Sequence, residues 1–170
     1  MRIINMMRAA AAMLCLVAIC SIARADDAKE IAALYAKVDK AMVGKDVKGI
    51  MSAGVQGFTY TEAGRTMTGD QVIAQMQQEF QVTVGKPVSK TTIVTCKIKG
   101  TTASVTTTGY AELSMNLPDG KVHKMTSVTK TSDTLVKTAK GWFVKNINVT
   151  SNKLTLDGKP FDPNKPPPAG

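Results

Sequence analysis

Apolar positions recur along this chain with two different periods. Between Asp27 and Val43, Ile31, Leu34, Tyr35, Val38, Ala41 and Met42 fall at three- and four-residue steps. That spacing predicts an amphipathic helix with Lys29, Lys37 and Lys40 on its wet side. Gly44 breaks the pattern, Asp46 is placed to cap a short second helix carrying Val47, Ile50 and Met51, and Gly54 and Gly57 end that segment. Gln56 to Thr61 alternates as a strand with Phe58 and Tyr60 on one face, and Glu62, Ala63 and Gly64 make a turn. Thr68 followed by Gln71 is a capping box, and it opens a helix whose apolar side is Val72, Ile73, Met76 and Phe80.

After Lys86 and Pro87 the period changes to two. Threonine- and valine-rich runs predict long strands over Val88 to Lys99, Thr102 to Asn116, Lys121 to Lys137 and Trp142 to Asn152, divided by turn residues at Gly100, Pro118-Asp119-Gly120 and Gly141. Ala103, Val105, Gly109, Ala111, Leu113 and Met115 keep one register, whereas Val122 to Leu135 changes phase midway, which predicts a bulge and a strongly curved sheet. Helices followed by an antiparallel meander make the predicted fold class α+β.

Composition narrows the picture. The 170 residues, 44% hydrophobic and 21% charged, supply one core and not two. Arg2 and Arg8 precede an apolar run from Ala9 to Ile22, and Ala23 and Ala25 form an A-x-A site. Residues 1–25 therefore read as a signal peptide cleaved after Ala25, with a periplasmic or secreted destination. The run is short for a stable membrane span. Lipoprotein processing at Cys20 is the minor alternative, disfavoured by the bulky Ile19. The domain is placed at 26–157 and a Pro-rich flexible tail at 158–170.

Removing the leader takes away three arginines, so 22 basic residues fall to 19 against 13 acids, and the exported chain carries about +6. Only Arg65 of those cations is an arginine, and the lysines are scattered, which argues against a nucleic-acid surface. Cys96 alone remains of the three cysteines and sits in an apolar alternation. His123 is the only histidine and has no second soft ligand at metal spacing, so no metal and no cofactor are expected. Its place beside the Asp119-Gly120 turn reads as a surface histidine.

The run from Ile31 to Gln77, with its K-D break, F-x-Y strand and T-G-D helix start, resembles the opening of SnoaL-like domains of the nuclear transport factor 2-like superfamily. The later stretch DTLVKTAKGWFVKNINVTS resembles their closing strands. The resemblance implies a cone, also called cystatin-like, with the N-terminal helices packed on a curved antiparallel sheet, a pocket between them, and a homodimer formed through the outer face. Such domains include isomerases, dehydratases and non-catalytic binders, so fold does not choose among them.

Two readings follow. In the favoured one an exported domain binds a small apolar molecule or a protein partner in a pocket lined by Tyr35, Tyr60, Met76, Leu113 and Trp142. In the alternative a lyase- or isomerase-type enzyme acts on a small carbonyl compound, with Asp39 as base and Tyr60 as oxyanion donor, provided Tyr35, Asp39 and Tyr60 converge.

Overall fold

A computed structural model describes residues 25–162. The predicted leader ahead of Ala25 and the tail beyond Asp162 lie outside the described residues. The first helix, α1, covers residues 25–43, and α2 (Val47–Met51) follows with Asp46 as its cap, the carboxylate accepting from the Gly49 amide at 2.8 Å. β1 (Gly54–Glu62) and β2 (Arg65–Thr68) form a hairpin. The Thr68 and Gln71 side chains make the predicted reciprocal capping box at the start of α3 (Gly69–Val82).

The remaining chain is β3 (Thr83–Lys99), β4 (Thr102–Asn116), β5 (Val122–Thr138), β6 (Gly141–Leu156) and the short β7 (Lys159–Phe161). All seven strands share one sheet in the order β2-β1-β6-β5-β4-β3, with β7 also pairing β6. Every pairing is antiparallel except β1 with β6. Between Gly54 and Thr59 the β1–β6 register shifts, and Gly57 takes φ +78° within that bulge, a backbone region that glycine enters without a side-chain clash.

Three details differ from the sequence reading. β3 begins five residues before Val88, because Pro87 sits on an edge strand, where no ladder hydrogen bond is demanded of its nitrogen. The bulges foreseen in β5 lie instead on β6: Lys130 pairs Ser151 while Thr131 pairs Val149, and Thr134 pairs Asn146 while Leu135 pairs Val144, so Thr150 and Lys145 are the extra residues. β5 itself runs unbroken against β4, and its apolar residues change phase because Val122 and Val128 face the convex side, 57% and 39% exposed. Lys159–Phe161, placed in the tail by sequence, pairs β6 with Phe161 opposite Leu154.

The core forms where α1 crosses the concave face. Ile31 and Tyr35 of α1 meet Ala103 and Val105 of β4, Leu135 of β5, Trp142 and Val144 of β6 and Phe58 of β1. Ile31, Val105 and Leu135 have no exposed surface. Truncating Leu135 to Ala should therefore cost about 2–5 kcal/mol, the sum of lost transfer energy and a residual cavity, read as a lower midpoint in chemical denaturation. A loss below about 1 kcal/mol would show that this cluster is not the core.

Candidate functional site

Strand alternation puts one ionisable group in the middle of the core. Along β5, Thr131, Asp133 and Leu135 point to the concave side, and Asp133 is only 3% exposed. Its Oδ2 accepts a 2.6 Å hydrogen bond from the Tyr35 hydroxyl, reaching from α1 across 98 residues of sequence. Its Oδ1 is buried with no partner. Burial drives the carboxyl above its ordinary 3.8, and the Tyr35 and Thr131 hydroxyls offset part of that rise. Desolvation, then the nearby Asp133 charge, pushes the Tyr35 phenol well above its usual 10.0. Thr107 and Thr131 hydroxyls, paired at 2.8 Å, continue the polar row one step along the same face.

A second polar group lies across the sheet. Tyr60 of β1 pairs Ile147 of β6, which pairs Asp133, so Tyr60, Ile147 and Asp133 form one cross-strand row. Two strand spacings separate the two polar residues, roughly 10 Å. The half-buried Tyr60 hydroxyl donates to Glu62 Oε2 at 3.1 Å, and Asn152 Nδ2 donates to Glu62 Oε1 at 2.8 Å. Ser127 and Thr129 hydroxyls in turn donate to Asn152 Oδ1. Burial raises the Tyr60 phenol, and the Glu62 and Glu79 charges raise it further, which brings Glu79 of α3 into the same neighbourhood.

The residues named from sequence fall in different places. Tyr35, Asp39 and Tyr60 do not make one site: Tyr35 meets Asp133, and Tyr60 meets Glu62. Asp39 turns to the edge strand, where its oxygens accept from Ser89 Oγ, Thr91 Oγ1 and the Thr91 amide at 2.7–2.9 Å. Asp39 and Tyr35 border a groove of about 320 Å³ between α1 and β3, with Ala32, Ala36, Thr91, Thr92 and Ile93. Met76 is half-buried on α3, Leu113 is buried on β4, and Trp142 closes the far end of the core with its indole N–H on Asp27 at 2.9 Å. Lys137 pairs with the same carboxylate and lies 5.9 Å from the Trp142 ring centre. Cys96 is half-buried on β3, opposite Val105, and desolvation raises its thiol.

Asp133 is the residue that sequence reading missed. Its signal was an acid two positions before the deeply buried Leu135. Recognising it required holding β5 in one register past Val128.

His123 is held rather than free. Its Nδ1 lies 2.7 Å from Asp157 and its Nε2 2.9 Å from Asp119, and these carboxylates raise its pKa above 6.5. Among the described residues no three histidine, cysteine or acidic side chains are grouped to hold a metal, and no helix is long and apolar enough to cross a membrane.

Two pH windows follow. Because the folded carboxyl of Asp133 binds its proton more tightly than the unfolded one, its contribution to stability is present at low pH. It is lost as pH rises from about 3.8 through the raised folded value. Asp133→Asn should remove that slope from denaturation midpoints taken between pH 4 and 8, and an unchanged slope would show that Asp133 is not buried as described. For His123 the contribution is complete below 6.5 and lost as pH rises through its raised folded pKa. His123→Ala should therefore speed hydrogen exchange of the Lys124 amide at pH 6 and leave it nearly unchanged at pH 9.

No family model matches the sequence, and no curated protein matches it. Solved structures share its architecture. A candidate scytalone dehydratase from Novosphingobium aromaticivorans DSM 12444 superimposes with a TM-score of 0.71 at 12% identity, over 79% of this chain and 90% of that one. A type 2 hexachlorocyclohexane dehydrochlorinase gives 0.65 at 7% identity, over 85% and 99%. A candidate dehydratase of the nuclear transport factor 2-like family from Streptomyces avermitilis gives 0.57 at 13% identity, over 73% and 95%. A curved sheet crossed by an N-terminal helix, shared at identities this low, makes the fold of this chain nuclear transport factor 2-like, also known as cystatin-like.

Proposed function

We propose that the protein binds a small, largely apolar molecule on the concave side of its sheet, with Asp133 and Tyr35 as the polar anchor. The observation that carries this reading is the orphaned Oδ1 of Asp133, buried among Val105, Leu135 and Ile147. A buried acceptor without a partner costs about 1–3 kcal/mol, and a ligand donor placed on it relieves that cost. Space for a ligand is supported two rows further along: a side chain at Gly109 would meet only the Thr129 carbonyl at 3.9 Å, and its neighbours on that face, Ala111 and Ser127, are small.

A proton-transfer reading, on a small carbonyl compound, is favoured by one feature. A carboxyl raised by burial and touching a phenol is better suited to take up and return a proton than an exposed one. Asp133 takes the role of base in that reading, since both oxygens of Asp39 are committed to β3.

Export of the chain rests on the leader residues Arg2, Arg8 and the A-x-A site ending at Ala25. Pairing of two copies through the convex face rests on the exposed Val88, Tyr110 and Val128. Native mass spectrometry of the protein purified from the cell envelope tests both proposals with the binding reading. The expected spectrum starts at Asp26, at twice the chain mass, with a few hundred daltons (on the order of a small ligand) lost on activation. For binding itself, Gly109→Phe should abolish the captured mass while the fold is retained. Capture that survives Gly109→Phe but disappears on filling the Ala36 side of the outer groove would move the site to that groove.

A further inference from the structure

The concave face has a one-sided hydrogen-bond inventory. Tyr35 donates to Asp133, Tyr60 and Asn152 donate to Glu62, Ser127 and Thr129 donate to Asn152, and Thr107 and Thr131 are paired with each other. Most of these donors are committed to acceptors already inside the protein; the Thr107–Thr131 pair keeps one spare O–H and Asn152 one spare N–H. What remains is mostly acceptor capacity: the bare Oδ1 of Asp133 and the unfilled lone pairs of the Glu62 carboxylate.

Charge points the same way. The sequence carries 22 basic residues against 13 acids, yet the lysines of β3 to β6 stand at convex or bulged positions, opposite such residues as Tyr110, Ser104 and Val128. Lys137 is the exception, and it sits beyond Trp142, committed to Asp27 and Glu30. Lys45, half-buried, donates to the Thr83 carbonyl at 2.5 Å, and His123 is clamped between two aspartates. The interior row is therefore acidic inside a basic shell, with Asp133 97% buried (3% exposed) and Glu62 and Glu79 gathered about Tyr60.

We infer that the molecule bound on this face is an organic ammonium, a small aromatic or aliphatic body carrying a protonated amine. The inference rests on the binding reading above and gives it a ligand class. An ammonium offers three donors and a positive charge: it draws the proton off the buried Asp133 carboxyl by pairing with the anion, and it meets the Glu62 carboxylate directly. Its apolar body lies against Ile147 and the ring of Tyr60, whose face also attracts a cation. A carboxylate or phosphate ligand meets the Glu62 and Glu79 carboxylates about Tyr60.

The test is a methyl NMR titration of the purified protein with 2-phenylethylamine and its neutral isostere 2-phenylethanol, followed at the Ile147 methyl. The amine should bind about tenfold more tightly than the alcohol at pH 7, as expected for a charge-assisted contact. Asp133→Asn and Glu62→Gln should each weaken the amine by about fivefold or more while leaving the alcohol within about twofold. Glu62 is half-buried, so Glu62→Gln keeps the test readable if Asp133→Asn unfolds. Equal or tighter binding of the alcohol at Ile147, or amine binding indifferent to both variants, overturns the ammonium inference and leaves the binding reading standing. Failure of both compounds to move Ile147 overturns both.

Discussion

The hydrogen bond between Tyr35 and Asp133 is the constraint on which the arrangement of this molecule turns. It joins the helix formed first in the chain to the strand nearest the middle of the sheet, and it does so through groups that resist burial. A carboxyl at 3% exposure is tolerable only because the phenol satisfies one oxygen and burial favours the neutral form. Around it the apolar cluster of Ile31, Val105, Leu135 and Trp142 supplies the stability that the polar pair does not. The helix is thereby fixed in angle and register: rotating α1 by one residue would take Ile31 and Tyr35 off the sheet together.

Local signals in the sequence foretold most of the elements. The capping box at Thr68, the Asp46 cap and the even register of β4 are each complete within a few residues, so the sequence displays them directly. What eluded it depends on partners distant in the chain. Whether Val122 and Val128 face the core or solvent is decided by β4 and β6, and a proline inside β3 is acceptable only because that strand ends the sheet. The short β7 exists because β6 runs past the end of β1 and leaves a free ladder there.

The site shows the same division. Sequence named Tyr35 and Tyr60 from their places on apolar faces, and both stand on the concave side. Asp39 has the helical spacing from Tyr35 expected of a neighbour in a pocket, yet one turn of helix carries it past the face to the edge strand. Asp133 carries no local mark that separates it from a surface acid between threonines. Its meaning comes from the cross-strand row it shares with Ile147 and Tyr60.

Asp39 also has a physical consequence for the chain as a material. β3 ends the sheet with 17 residues of backbone, a length at which strands readily recruit a second copy. The Asp39 carboxylate occupies the outward amide of Thr91, and the register breaks between Ile93 and Thr95, with Lys97 and Lys99 beyond. A stranger's strand laid along this edge would meet an anion where its carbonyl needs a free N–H, then a kink, with two ammonium groups beyond. A side chain from α1 thereby interrupts the longest edge ladder of the sheet at the point where a second strand would begin to pair.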